Sequence, residues 1–554
     1  MSNSSQSVFD ALKQSEFGIE VPYYNYFSED ARPGLSSYLD KTIRGNSDVV
    51  RTPFAKSKEQ DEVLDEWSIH LKKLEKEWPS LIEFENDLRS KVGPLSVQAP
   101  LIDRLESIES YFTDVSLPQD PIDQDAIRCV LREFHTIQGI RVRTGQRTVN
   151  RMKLSTSSGN PFFTKRRNVV DQTVPVTVST DYLRVKQSLT NHHNIWDAAA
   201  IIGWRGQEGG PNKSDVKQRV VWMFPFGVNI AELSVYQPLI ERCQDKNLIA
   251  PWIGLSAVDR RITQLFETKR PEDYVICTDF TKFDQHFNRA CQNAAYDILS
   301  RLLSHSAQEE RWLEEVFPAK YNIPLICALT DDKLLCMSGE HGMASGSGGT
   351  NADETLTHRA LQYEAALWRR TNLNQNSMCL GDDGVLTFPG IQVEDVVQAY
   401  TSHGLEMNET KQYVSKHDCV FLRRWHHEDY QIAGECVGVY STYRALGRLM
   451  YQERFYDPEV WGPKMVALRQ LSILENCKYH PLRDEFAKFC MKRDKYRLGI
   501  DIPGFLEDIG RIASEATNLL PGFMSYTQQL DAEGNGDSYG IENWWIVQFL
   551  KSQR

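Results

Sequence analysis

Three acidic residues at two chain reversals constrain this sequence more than any bulk property does. Tyr274-Val275-Ile276-Cys277-Thr278 is an apolar run of strand length that stops at Asp279, the pattern of a buried strand. Asp284 follows, and Phe287, Ala290, Cys291, Ala294, Ala295, Ile298, Leu299 and Leu302 then recur at helical spacing. A strand therefore delivers a carboxylate at its C-terminal end, and a helix starts just after it. Further on, Met378-Cys379-Leu380 and Val385-Leu386-Thr387-Phe388 flank Gly381-Asp382-Asp383-Gly384. Two short apolar runs around such a turn predict a hairpin with adjacent acids at its tip. Packed beside the first strand, the hairpin would bring Asp279, Asp382 and Asp383 together, and like charges at close range drive proton uptake. Divalent cations relieve that conflict. Hard oxygen donors without His or Cys favour Mg²⁺ or Mn²⁺ over zinc, and two such ions about 3.5–4 Å apart can activate a hydroxyl and stabilise a leaving pyrophosphate. A lone Gly-Asp-Asp is weak evidence, because solvated turns carry it more often.

The 554 residues exceed what one core organises, so several units are expected. A composition of 41% apolar and 25% charged residues excludes fibrous, disordered and disulfide-scaffold classes. No apolar run approaches the ~18 residues of a membrane span, and Met1–Ser7 lacks the basic and apolar regions of a secretory signal. Eleven scattered cysteines without a CxxC pair fit a reducing compartment. The net charge of −12 argues against a generally basic surface, so any nucleic-acid partner needs a local basic channel. One candidate is Arg141–Arg167, with eight basic residues and no acid. It reads either as a phosphate-binding groove or as a solvated charged face. It encloses the turn-rich Ser155-Thr156-Ser157-Ser158-Gly159-Asn160-Pro161. A second basic patch, Arg205, Lys213, Lys217 and Arg219, leads into the apolar Val220–Phe224. Residues 57–90 carry Leu64, Trp67, Leu71, Leu74 and Trp78 at helical spacing and predict a solvated helix with one apolar face. An acidic loop at 531–540 precedes Trp544 and Trp545, which either stack on an initiating nucleotide or, the favoured reading, pin the C-terminus to the preceding helices.

The order of these features is more specific than any one of them. The strand with Asp279-x4-Asp284, the Ser345-Gly346-x3-Thr350 loop and the Gly381-Asp382-Asp383 hairpin resemble motifs A, B and C of viral RNA-dependent RNA polymerases. Ser157-x-Gly159-x-Pro161 resembles motif G and Lys217-x-Arg219 motif F, while Gly404–Lys411 and Phe421-Leu422-Arg423-Arg424-Trp425 resemble motifs D and E. Thr278–Asp284 and Ser345–Asn351 are most similar to the picobirnavirus branch, with partitivirus polymerases further off.

The resemblance implies an α+β right-hand polymerase. Fingers would come from 61–265 and 290–335, and a palm of antiparallel sheet plus helices from 266–289 and 336–428. A mostly helical thumb would span 429–554, with residues 1–60 bridging fingers and thumb. It implies that Asp279, Asp382 and Asp383 hold two Mg²⁺ or Mn²⁺ ions. Lys217, Arg219, Asp284, Ser345, Gly346, Thr350 and Asn351 would meet the nucleotide. Ser157, Gly159, Pro161, Lys165, Arg166, Arg423 and Arg424 would meet RNA. Lys411 would protonate pyrophosphate, with Lys416 as rival. Partners would be template and product RNA, NTPs and a viral capsid protein, without a membrane and as a monomer. The setting would be the virion interior and host cytoplasm of a double-stranded RNA virus. One departure stands out: Glu354 occupies a position where many of these enzymes carry Asn, and an ionised carboxylate cannot donate a hydrogen bond as Asn does. Two other classes stay open. A reverse transcriptase would share the carboxylates, and a catalytically silent RNA-binding scaffold would share the basic channel.

Overall fold

The run ending at Asp279 forms the strand Val275–Thr278, an inner strand of a four-stranded antiparallel sheet. Asp383–Leu386 pairs with it on one side and Tyr413–Ser415 on the other, and Met378–Leu380 completes the sheet. Val275–Thr278 is buried throughout, so its continuous apolar pattern reflects cover on both faces. The computed structural model describes residues 3–113, 115–190, 194–519 and 540–554. The expected acidic loop at 531–540 falls, but for its last residue, outside the described residues.

Thr350–Trp368 lies across this sheet and is buried on every side from Ala352 to Ala366. A helix buried all round is ordinarily apolar, yet this one carries Asp353, Glu354, Thr355, His358, Arg359 and Glu364. Partners on neighbouring elements meet most of them; Arg359, for instance, makes two 2.9 Å bonds to Glu133.

A five-stranded sheet runs in the order Gly18–Pro22, Lys333–Met337, Leu325–Thr330, Ala200–Gln207, Lys217–Met223. Its one parallel pairing joins Ala200–Gln207 to Leu325–Thr330. The N-terminal segment begins with the helix Asn3–Gln14 and then supplies an edge strand of this sheet. It ends against the C-terminal helices, where Thr52 N–H donates to Met450 O (2.8 Å) and Ala55 N–H to Arg493 O (3.1 Å).

The stretch 57–90 departs from expectation. It forms two helices, Gln60–Leu71 and Pro79–Arg89, because Pro79 can start a helix but not continue one. Their apolar faces are buried, not solvated: Trp67 is fully enclosed and its indole N–H donates to Thr442 Oγ1 at 2.8 Å. Phe54 to Leu95 share one hydrophobic core with Trp425 to Leu550, separate from the core that joins Val8–Ile43 to Leu101–Leu405. Residues 61–265 contribute to both cores, their first part packing with the C-terminal helices. Those are Thr442–Met450, Pro458–Glu475, Arg483–Arg493, Ile509–Leu519 and Trp545–Ser552. Trp544 lies in their core, and Trp545 bonds Glu475 through its backbone and Asp484 through its ring.

Candidate active site

Asp279 is the first residue beyond its strand. Gln412 clamps it in place: the carboxamide accepts from Asp279 N–H (2.7 Å) and donates to Asp279 O (3.0 Å) and Asn408 O (2.9 Å). In the adjacent hairpin Leu380 faces Asp383 across a two-residue turn. Gly381 supplies the left-handed backbone that turn needs (φ +57°). Only Asp382 sits at the tip; Asp383 already belongs to the returning strand, where its Oδ2 accepts from Leu422 N–H at 2.8 Å. The central helix fixes the tip. Thr355 Oγ1 accepts from Gly381 N–H (2.9 Å), and His358 Nδ1 lies 2.8 Å from Gly381 O. Burial holds the His358 imidazole near pKa 4, so it is neutral and donates that bond.

The crowding of acids registers in their proton affinities. Burial, then the Asp284 carboxylate, raises Asp382, which Asp279 raises further and Arg219 pulls back. Burial and the Asp382 charge push Asp383 up to about 7. Glu354 stands well above the ordinary carboxylate range, because it is buried and the Asp284 carboxylate lies beside it. The facing basic groups feel the same field. Lys217 is lowered by burial and by Lys91, Arg423 and Arg219, while Asp279 acts against them. Asp279, Asp284, Asp382, Asp383, Lys217 and Arg219 therefore share one electrostatic neighbourhood.

The loop 344–349 borders it. Gly346 lies so close to the strand Lys217–Met223 that a Cβ would fall 1.6 Å from Trp222 O. Trp222 N–H donates to Ser345 Oγ (3.3 Å), and Thr350 Oγ1 donates back to Ala344 O (3.1 Å), which closes the loop onto the helix start.

Asn351 Oδ1 accepts from the indole of Trp252 at 2.7 Å and from Thr355 Oγ1 at 3.5 Å. Arg424 is buried, donating to Gly438 O (2.8 Å) beside Asp259 (3.5 Å), so it cannot reach RNA. Arg423 is the exposed member of that pair and lies 3.4 Å from Glu208. Arg166 also turns inward, to Ser157 O (3.3 Å) and Asn229 Oδ1 (2.7 Å), leaving Lys165 as its exposed neighbour. In the same loop Gly159 has φ +61°, a Cβ there would fall 2.8 Å from Phe224 O, and Pro161 is buried; both shape the loop. Ser157 Oγ accepts from Gly159 N–H at 3.2 Å. The basic run is split too, since Arg143 and Arg151 both pair with Glu241.

The register of Tyr413–Ser415 separates the two candidate lysines. Tyr413 lies opposite Cys277 and Ser415 opposite Val275. Lys411 consequently precedes the strand at its Asp279 end and is exposed. Lys416 lies beyond the far end, its ammonium 5.1 Å from the Tyr274 ring.

Among the described residues no three His, Cys, Asp or Glu side chains are arranged to hold an ion unaided. That donor set nonetheless suits Mg²⁺ or Mn²⁺, which binds through one or two carboxylates plus substrate phosphates and water. The raised Asp383 marks the charge conflict a cation would relieve.

A carboxylate-bearing palm sheet, a five-stranded sheet with basic residues turned toward it and a helical C-terminal unit define a right-hand polymerase. The family model for viral RNA-dependent RNA polymerase matches residues 96–438, and the chain belongs to that family. It is 54% identical over 527 residues to a potential RNA-dependent RNA polymerase of human picobirnavirus (strain Human/Thailand/Hy005102/-), covering 94% of this chain and 97% of that one. The crystal structure of a human picobirnavirus RNA-dependent RNA polymerase superposes with a TM-score of 0.90 at 53% identity, over 96% of this chain and 99% of that chain. An insertion-loop deletion mutant of such an enzyme gives 0.89 at 52%, over 96% and 99%.

Proposed function

We propose that this RNA-directed RNA polymerase joins nucleotides at the Asp279–Asp382–Asp383 cluster, where a 3′-hydroxyl attacks the α-phosphorus of an NTP and pyrophosphate leaves. The observation that carries the reading is the convergence of these acids on adjacent strands opposite Lys217 and Arg219. Asp279 and Asp382, with Asp383 assisting, would hold two Mg²⁺ or Mn²⁺ ions, which when bound supply Lewis-acid stabilisation of the attacking and leaving oxygens. Lys217 and Arg219 neutralise the triphosphate. Asp284 and the protonated Glu354 read the ribose 2′-hydroxyl, one accepting and the other donating. Lys411 delivers a proton to pyrophosphate from the Asp279 end of the sheet. Lys165 and Arg423 face RNA, and Ser157, Gly159 and Pro161 shape the wall of its path.

Similarity to a picobirnavirus enzyme across nearly the whole chain supports a wider role. That role is replication and transcription of a double-stranded RNA genome beside capsid protein, in the virion and the host cytoplasm, by a monomer. Incorporation of labelled nucleotide on an RNA template, comparing NTPs with dNTPs, tests the reading. NTP-dependent product is expected from the wild type and none from Asp279→Ala or Asp382→Ala, with RNA binding kept in both. Near wild-type incorporation by either variant overturns the cluster assignment, and equal use of dNTPs favours a reverse transcriptase.

A further inference from the structure

The loop 344–349 is held by a side chain that has no part in the chemistry above. Glu232, on the helix Phe226–Asp245, is fully buried. Its Oε1 accepts from Gly348 N–H (3.1 Å) and Asn229 Nδ2 (3.1 Å), and its Oε2 accepts from Ser347 Oγ. The same Asn229 amide donates to Gly346 O at 3.2 Å, while Asn229 Oδ1 accepts from Arg166 Nη2 at 2.7 Å. Arg166 Nε reaches on to Ser157 O (3.3 Å), and its backbone N–H bonds Thr156 O (3.0 Å). One unbroken chain of hydrogen bonds thus runs from the loop 156–166 through Asn229 and Glu232 to the loop 346–348.

A second buried group anchors the far end. Lys320 lies 3.0 Å from Asp353, on the first turn of the central helix, and donates to Phe317 O at 2.7 Å. Asp353 also accepts from the hydroxyls of Tyr236 and Tyr321, at 2.7 Å each. Buried charges carry desolvation costs that well-packed apolar residues avoid. A charge network retained here calls for a role beyond filling space. Glu232 and Asn229 supply one, because both grip the backbone of the loop 346–348.

We propose that Glu232 and Asn229 are positioning residues that couple the loop 156–166 to the loop 344–349, so that the RNA strand and the incoming nucleotide are set in register together. The proposal rests on the reading in which 157–165 borders the RNA path and Ser345–Thr350 meets the nucleotide. Asn229 is its joint: it holds Arg166 with its oxygen and Gly346 with its nitrogen.

A double-mutant cycle tests it. Arg166→Met and Ser347→Ala are measured singly and together by single-turnover NTP incorporation on a preformed RNA complex, then again in an Asn229→Leu background. Each single change should slow incorporation at saturating NTP, with RNA affinity and thermal midpoint near wild type. The double variant should be faster than the product of the single effects by at least about five-fold, within the range residues of one network show. In Asn229→Leu that factor should fall to about one. Additive effects with Asn229 intact, or coupling that survives Asn229→Leu, overturn the proposal. Losses that track the thermal midpoint instead of the rate also overturn it. Lys165→Ala and Arg167→Ala check the underlying reading separately: if the salt dependence of RNA binding ignores both, the RNA path lies elsewhere and the coupling falls with it.

Discussion

Glu354 shows how one environment changes what a residue type can do. As an ionised carboxylate it could only accept, but burial and the facing Asp284 raise its proton affinity well above the ordinary carboxylate range, which favours the protonated form, whose hydroxyl donates as an amide would. Glu354→Gln should therefore retain the preference for NTPs over dNTPs within a few-fold, while Glu354→Ala should lower it. A site built on a ribose hydrogen bond can reject the analogue lacking it by up to ~10⁴. The sign with pH follows from the raised carboxyl: the donor is present below the folded-state pKa and is lost as pH rises through it. The wild type should thus lose selectivity at alkaline pH and Glu354→Gln should not. Relative kcat/KM for the two nucleotides across pH checks both statements, and identical pH profiles would discard the protonated donor. Lys411 is tested at the same scale. Its loss in Lys411→Leu should slow single-turnover incorporation by ~10²–10⁴, whereas Lys416→Leu, at the opposite end of the strand, should leave the rate near wild type. The clustered acids Asp279, Asp382 and Asp383 were legible in the sequence because carboxylates at strand ends have a recognisable pattern. Gln412, Thr355 and His358 were not, since they act through backbone hydrogen bonds across long sequence separations.

Elements explain why the hairpin can carry two acids without splaying. Gly384 lies opposite Thr278 in the central strand, and a Cβ there would stand 2.5 Å from Thr278 Oγ1 and 2.7 Å from His358 Cε1. Gly384→Ala should push the hairpin off the helix and destabilise the fold by about 1–3 kcal/mol, the usual cost of overpacking. A shift in urea midpoint together with lost incorporation would record it; an unshifted midpoint would show that the hairpin has room. The basic run illustrates what a one-dimensional reading misses. Arg143 and Arg151 share the one carboxylate of Glu241, an acid far along the chain, and Arg166 is bonded to Asn229. Lys165 and Arg167 stay exposed. Replacing each by alanine should reduce the log–log salt slope of RNA binding by up to ~0.7, while Arg143→Ala should not change it. The helices of 57–90 were legible as helical periodicity, but their partner was not. Periodicity reports that one face is apolar and says nothing of which unit covers it, and here the cover is the C-terminal core.

At the scale of the whole molecule, one carboxylate ties the units that surround the active site. Glu208 follows the strand Ala200–Gln207 of the five-stranded sheet. It meets Arg444 (2.8 Å) and Arg448 (3.6 Å) on the helix Thr442–Met450 and Arg423 (3.4 Å) in the turn that also supplies the Leu422 N–H to Asp383. Burial alone would raise its pKa, but Arg448, Arg444 and Arg423 outweigh that and hold it at about 2 against an ordinary 4.5. A depressed carboxylate contributes stability that is fully present above its unfolded-state value and is lost as pH falls through the folded one. That places the window between about 4.5 and about 2, and a shift of this size corresponds to roughly 3 kcal/mol. Glu208→Gln leaves three guanidinium groups around a neutral amide, so it should destabilise the joint at neutral pH, where removal of one buried partner costs about 3–5 kcal/mol. The gap between wild type and variant should then narrow steadily as pH falls from 5 toward 2, because the wild type loses by protonation what the variant has already lost. Apparent urea midpoints of both proteins across that range measure the gap. If it stays constant with pH, Glu208 does not carry its charge into the folded state and the joint is held by packing instead.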